Sequence, residues 1–205
     1  MKSHARNGSR APSTARREEI FPIILAAGKW AEPFNGASLP CNKAREWIRR
    51  AVSNCAGVAK PIVVIGWYAE VLGSCVPKNA TLVINENWEQ GQISSLRAGL
   101  RRVPDGAAFM VYPVDLHRMR KELIDELVAK YWSRPRGSEI VMPMYHEHAG
   151  HPAILSAALR EELETAETAR HVVYRDPRRL KFLKTDSAAV IHLPRERATQ
   201  PARAV

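Results

Sequence analysis

The chain has 205 residues, 45% of them hydrophobic and 25% charged, with a formal net charge of +10. That length suits one domain with a sizeable core. It contains no apolar run near the ~20 residues of a membrane span and no signal-peptide pattern, so membrane insertion and secretion are not expected and a cytoplasmic protein is the default.

The charge is unevenly distributed. Residues 1 to 19 carry Lys2, Arg6, Arg10, Arg16 and Arg17 against Glu18 and Glu19, and residues 194 to 205 carry Arg195, Arg197 and Arg203 against Glu196. About half of the excess therefore sits in two Ser/Ala/Pro/Arg-rich ends, which are expected to be disordered tails around one domain of residues 20 to 193. The first tail is acid-poor as far as Arg17, as organelle transit peptides are, but it lacks an amphipathic apolar face. What remains suits a binder of small anions, and aromatics at RNA-motif spacing are absent, so nucleic-acid binding is not the expectation. Cys41, Cys55 and Cys75 stand far apart without a CxxC pair, which predicts reduced thiols and no cysteine zinc site.

In chain order, near-continuous apolar runs at 21–26, 61–66, 81–85, 107–113 and 139–143 read as strands covered on both faces. Amphipathic patterns at 42–56, 68–75, 92–102 and 118–132 read as the helices between them, with Ala44, Trp47, Ile48, Ala51 and Val52 on one face of the first. The alternation predicts right-handed crossovers and a three-layer α/β sandwich with a mainly parallel sheet. After residue 143 the rhythm changes to a His-rich loop, a short PAIL strand, a helix at 156–168 and strand candidates at 180–185 and 188–193, read as an antiparallel addition.

Ligands of an open parallel sheet bind beyond the carboxyl ends of its strands. The first such loop begins LAAG, where Ala26 and Ala27 leave the backbone accessible to a base edge and Gly28 permits a tight turn. It matches neither a dinucleotide fingerprint nor a P-loop. The third, NENWEQGQISSLRAGL, ends a strand with Asn85, turns at Gly91 and places Ser94 and Ser95 in the first turn of a helix, a natural anion or ribose contact. The fourth, VYPVDLHRM, sets Asp115 just past a buried strand. There a carboxylate can hold Mg²⁺ on a triphosphate; a helix N-cap is the competing reading. In YHEHAGHP, His146, His148 and His151 with Glu147 have an unspecific metal-like spacing, and lining an acceptor pocket is preferred to zinc.

Taken in order, IILAAG, NENWEQGQISSL, VYPVDL and AGHPAIL resemble the MobA-like nucleotidyltransferase family, which includes the molybdenum-cofactor cytidylyl- and guanylyltransferases; the resemblance runs from about residue 21 to about 193. It implies a Rossmann-like sandwich of the nucleotide-diphospho-sugar transferase type. It also implies transfer of a nucleoside monophosphate from an NTP, with CTP favoured, to a phosphorylated acceptor such as molybdopterin or a sugar phosphate. By the same resemblance the backbone at Leu25, Ala26, Ala27 and Gly28 would hold the base, and Asn85, Gly91 and Ser95 would shape the nucleoside pocket. Asp115 would carry Mg²⁺, and Gly150, His151 and Pro152 would form the acceptor side.

The chain departs from the family at the phosphate end. The family continues LAAG to Arg-Met-Gly and then a Lys, where this chain has Glu32 or Pro33 and Ser38; near the C-terminus a metal carboxylate gives way to His192, with Asp186 displaced from it. Lys29 is the nearest substitute cation and is assigned a catalytic role with Asp115; Lys43 and Arg97 are the other candidates. Loss of such cations removes several kcal/mol of transition-state stabilisation. The alternative expectation is therefore a catalytically lapsed member that binds a nucleotide or cofactor and serves a partner such as a client oxidoreductase.

Overall fold

The computed structural model describes residues 18–28 and 41–191. Lys29, Glu32, Pro33, Ser38 and His192, and most of both basic ends, lie outside the described residues.

Strand β1 (Ile20–Ala26) is buried along its whole length except at Phe21, as a strand in the middle of a covered sheet must be. It is flanked in parallel by β2 (Ile62–Ile65) on one side and β4 (Ala108–Pro113) on the other, and β3 (Thr81–Ile84) pairs in parallel with β2. The remaining strands are β5 (Ile140–Tyr145), β6 (His148–Ala149), β7 (Ala153–Leu155) and β8 (Leu180–Lys184). β6 and β7 are the antiparallel members, both pairing with β5, and β7 lies inside the sheet, between β4 and β5; β8 pairs in parallel with β5 on its far side.

Successive β1 residues point into two separate cores. Ile24 and Ala26 face α1 (Cys41–Asn54), α2 (Ala69–Leu72) and α4 (Lys121–Trp132), packing with Ile48, Val52, Leu72, Ile124 and Tyr131. Ile23 and Leu25 face α3 (Gln92–Leu100), α5 (Arg160–Thr165) and α6 (Ala169–Val173), packing with Leu96, Leu100, Leu163 and Val172. The structure is thus the three-layer α/β sandwich that the strand and helix periodicities predict. Cys55 and Cys75 are buried, unbridged thiols, and burial pushes the Cys55 thiol up to about 12.

Several elements differ from the sequence reading. The helix expected over 68–75 is α2 followed by a 3₁₀ turn (Gly73–Cys75), and the run at 81–85 is covered on one face only, with Leu82 and Ile84 exposed. The helix expected over 156–168 is divided into a 3₁₀ turn (Ala157–Leu159) and α5, after which Thr168 Oγ1 accepts the His171 N–H and starts the separate α6. The strand expected over 188–193 begins as a 3₁₀ turn (Ala188–Val190), because Ser187 and Thr185 accept the Ala189 and Ser187 N–H groups and close the backbone locally. The His-rich loop is a hairpin turn: His146 and Glu147, at φ 40° and 63°, join β5 to β6 and set Tyr145 opposite His148. Among the described residues no group of three or more His, Cys, Asp or Glu side chains is arranged to hold a metal ion.

Helix α3 lies against the sheet through Gly99, where an added Cβ would collide with the side chain of Ile23 and crowd Val64. Gly99→Ala should therefore destabilise the protein despite the ~1 kcal/mol gain in helix propensity, because overpacking a rigid β-branched neighbour costs about 1–3 kcal/mol. The check is a urea midpoint that falls at unchanged slope.

Candidate functional site

β1 to β4 run in parallel and end at one edge, where three backbone bonds join the strand ends. The Val114 N–H donates to Leu25 O at 3.1 Å, the Trp67 N–H to Ala27 O at 2.9 Å and the Asn85 N–H to Ile65 O at 2.8 Å. Gly66 makes this join tight, since a Cβ there would meet Ala27 O at 2.7 Å and the Trp88 Cβ at 2.6 Å. Leu25, Ala26 and Ala27 are buried, whereas Gly28 is exposed, has open space where a Cβ would project and is not among the glycines at positive φ. The carbonyls of Leu25 and Ala27 are thus engaged by neighbouring strand ends, and Gly28 is the accessible part of the platform.

Asn85, Gly91 and Ser95 come together in a single turn. Gly91, at φ 87°, leads into α3, a conformation that glycine adopts without strain. The Asn85 side-chain amide donates to Ser94 Oγ at 2.9 Å and to Ser95 Oγ at 3.0 Å, and its Oδ1 accepts the Asn87 N–H at 3.1 Å. The Ser94 hydroxyl in turn donates toward the Asn87 and Gly91 carbonyls, at 2.9 and 2.8 Å. All three polar side chains are buried. They brace the loop from within, and Ser94 is taken out of the anion contact that its position at a helix start had suggested.

Asp115 is exposed two residues past the end of β4. It does not cap a helix: α4 begins at Lys121 with Arg120 in the cap position. Its loop is held by one face of α1. The Trp47 ring stacks on His117 at 5.1 Å and 14°, Arg50 donates to His117 O at 2.8 Å, and Asn54 donates to Met119 O at 2.9 Å and to the Tyr112 hydroxyl at 3.3 Å. His117 Nδ1 also lies 3.1 Å from Asp115 O. Burial raises the Tyr112 phenol well above its usual range and keeps it neutral beside Asn54. On the sequence alone Trp47 reads only as a core residue, and Arg50 and Asn54 do not stand out. The signal was their spacing with Trp47, at i, i+3 and i+7 of one helix.

Gly150, His151 and Pro152 link β6 to β7 through a cis His151–Pro152 peptide. The Gly150 N–H donates to Pro143 O at 2.8 Å and the His151 N–H to Val190 O at 2.7 Å; a side chain at Gly150 would strike the Val190 backbone. Because β7 is antiparallel to β4 and their ladder ends at Val111 opposite Ala153, this segment continues toward the carboxyl end of β4, the end that carries Asp115.

The candidate cations fare differently. Arg97 points away from the strand ends, donating from Nε to Leu163 O at 2.9 Å and from its terminal nitrogen to Ala166 O, at the end of α5. Those bonds preclude it from replacing a phosphate-binding side chain without dismantling that contact. Lys43 is exposed in the first turn of α1, and Asp186 is exposed in the turn after β8.

This arrangement is that of a nucleotidyltransferase sandwich. The sequence matches the family model for the MobA-like NTP transferase domain over residues 23–185, and the chain belongs to that family. A comparison with functionally curated proteins finds no significant match. Among solved structures the fold is similar to Rv0371c from Mycobacterium tuberculosis H37Rv, at 21% identity over 83% of this chain and 89% of that one, with a TM-score of 0.64; a manganese complex of that protein matches at 20% over 82% and 89%, with 0.63. It is also similar to a nucleotidyl transferase from Methanothermobacter thermautotroptrophicus, at 19% identity over 82% and 88%, with a TM-score of 0.60. At these identities the likeness establishes the fold.

Asn85→Ala would remove the Asn85 partner of the buried Ser95 hydroxyl and of the Asn87 N–H, while Ser94 keeps its carbonyl contacts, at a cost of about 1–3 kcal/mol. In a chain of this size the melting temperature should fall by about 2–4 °C for each kcal/mol. Scanning calorimetry of the variant checks it.

Proposed function

We propose that the protein binds a nucleoside triphosphate at the carboxyl edge of β1 to β4 and transfers its nucleoside monophosphate to a small phosphorylated acceptor. The observation that supports this most directly is the convergence, in a MobA-like domain, of the Leu25–Gly28 strand end, the braced Asn85–Ser95 turn, the exposed Asp115 and the Gly150–Pro152 segment on that edge. In this reading the base lies against the Leu25–Gly28 backbone, with CTP preferred, and Asn85, Gly91 and Ser95 shape its pocket. The acceptor, a sugar phosphate or a pterin phosphate such as molybdopterin, approaches past Gly150, His151 and Pro152.

An acceptor oxygen forms the new bond to the α-phosphorus as the bond to pyrophosphate breaks. Asp115 is proposed to hold a divalent cation, Mg²⁺ in this reading, and such an ion would neutralise charge on the phosphates. The solved complex of the similar Rv0371c contains manganese. Lys29, one residue beyond Gly28, is proposed as the catalytic cation. Engagement of Arg97 by the end of α5 narrows the substitutes to Lys29 and Lys43.

The same observation favours a second reading, a family member that binds nucleotide with turnover lost. No helix among the described residues is long and apolar enough to cross a membrane, and a cytoplasmic location belongs to the proposal. Nothing in the fold or the comparisons supports a client oxidoreductase.

CTP with Mg²⁺ or Mn²⁺ should raise the melting temperature, because a ligand that prefers the native state stabilises it, and Asp115→Asn should abolish the metal-dependent part of the shift. No shift with CTP, GTP or ATP overturns nucleotide binding. A shift without pyrophosphate release across sugar and pterin phosphates selects the lapsed reading, and Lys29→Ala should lower any release by ~100-fold or more.

A further inference from the structure

The two edges of the sheet are finished in different ways. β8, at one edge, reads LKFLK and carries Lys181 and Lys184, with Arg178 and Arg179 just before it. Charged side chains on an edge strand discourage pairing with another chain. β3, at the other edge, reads TLVI and has no charge, proline or bulge within it.

The hydrogen bonds of β3 show which of its backbone groups are satisfied. The Thr81 N–H donates to Pro61 O at 2.7 Å and the Asn85 N–H to Ile65 O at 2.8 Å, so alternate residues 81, 83 and 85 turn their amides toward β2. Leu82 and Ile84 therefore direct their N–H and C=O groups away from β2, at an edge that no other strand among the described residues pairs with. Their side chains share one sheet face and are 40% and 56% exposed, two of the four large hydrophobic residues most exposed among those described.

We infer that β3 is a self-association edge, and that the partner it fits is β3 of a second copy of this chain in antiparallel orientation. With the twofold axis at Val83, Leu82 of each copy lies opposite Ile84 of the other. Both pairs are then of the kind that exchanges two backbone hydrogen bonds, and the four aliphatic side chains meet on one face. Ala80 is not needed, and its N–H already donates to Pro77 O. Exposed Lys78 precedes the strand and exposed Glu86 follows it. Antiparallel pairing brings the Lys78 end of one copy to the Glu86 end of the other, so the flanking charges attract, whereas a parallel pairing would set like charges together. The result is one continuous sheet across two protomers with closed twofold symmetry. It concerns the edge remote from β4 and holds whether or not the carboxyl edge binds nucleotide.

Sedimentation velocity on the full chain over a concentration series tests this. The expected result is a dimer for the wild type, a monomer for Ile84→Lys at the same concentrations, and an unchanged dimer for Lys181→Glu on the opposite edge. Ile84 is exposed, so its replacement should leave the far-UV circular dichroism intact; should Ile84→Lys misfold, Leu82→Lys carries the same expectation. A wild type that remains monomeric up to its solubility limit, or a dimer that survives a folded Ile84→Lys or Leu82→Lys variant, overturns the inference.

Discussion

The carboxyl edge of this sheet depends on the parallel pairing of β1 with a strand on each side. Because β2 and β4 run in the same direction as β1, their ends fall at one level, and the bonds from Val114 to Leu25 and from Trp67 to Ala27 hold the three strand ends within a single backbone hydrogen bond of one another. Small residues are required for that approach. At Gly66 any side chain would enter the space of Ala27 and Trp88, and β1 ends at Ala26 with Ala27 just beyond it. The local chemistry of the site thus follows from strand packing around β1, β2 and β4, which are buried on both faces.

Each loop is then braced by a helix. Asn85 ties its loop to the first turn of α3 through two serine hydroxyls, and Trp47, Arg50 and Asn54 of α1 hold the Asp115 loop from the opposite layer. Asn54, Asn85, Ser94 and Ser95 are buried, where each unsatisfied group would carry a desolvation cost, and Arg50 adds its bond from the exposed side of α1. Bracing from both layers fixes the loop backbones on either side of β1 and leaves Gly28 and Asp115 exposed between them.

Much of the positive charge that drew attention in the sequence serves the fold away from this edge. Arg179 pairs with Glu162 at 2.7 Å and Glu139 at 3.2 Å, Arg175 pairs with Glu162 at 3.0 Å, and Arg97 closes the end of α5. The Arg179 hydrogen bond, followed by the Arg175 contacts, holds the Glu162 carboxyl below its usual range. Glu18, on the entry to β1, accepts from the Tyr131 hydroxyl at 2.9 Å and from Arg134 at 3.2 Å. Net charge is therefore a poor guide to the site, because paired arginines inside a fold add little to the field at a distant edge.

The sequence by itself determined the layer order and the parallel strands, because continuous apolar runs of strand length alternating with amphipathic runs of helix length have few other ways to bury their surface. It also determined Asp115 and the Asn85–Ser95 turn as features of the carboxyl edge, since both follow directly from strand ends. Only the tertiary structure decided that β7 runs inside the sheet, that Ser94 and Arg97 are engaged by the protein itself, and that the Asp115 loop rests on Arg50 and Asn54. Those outcomes rest on contacts between residues far apart in the chain, Arg97 with Leu163 and Asn54 with Met119 among them, which no local periodicity encodes.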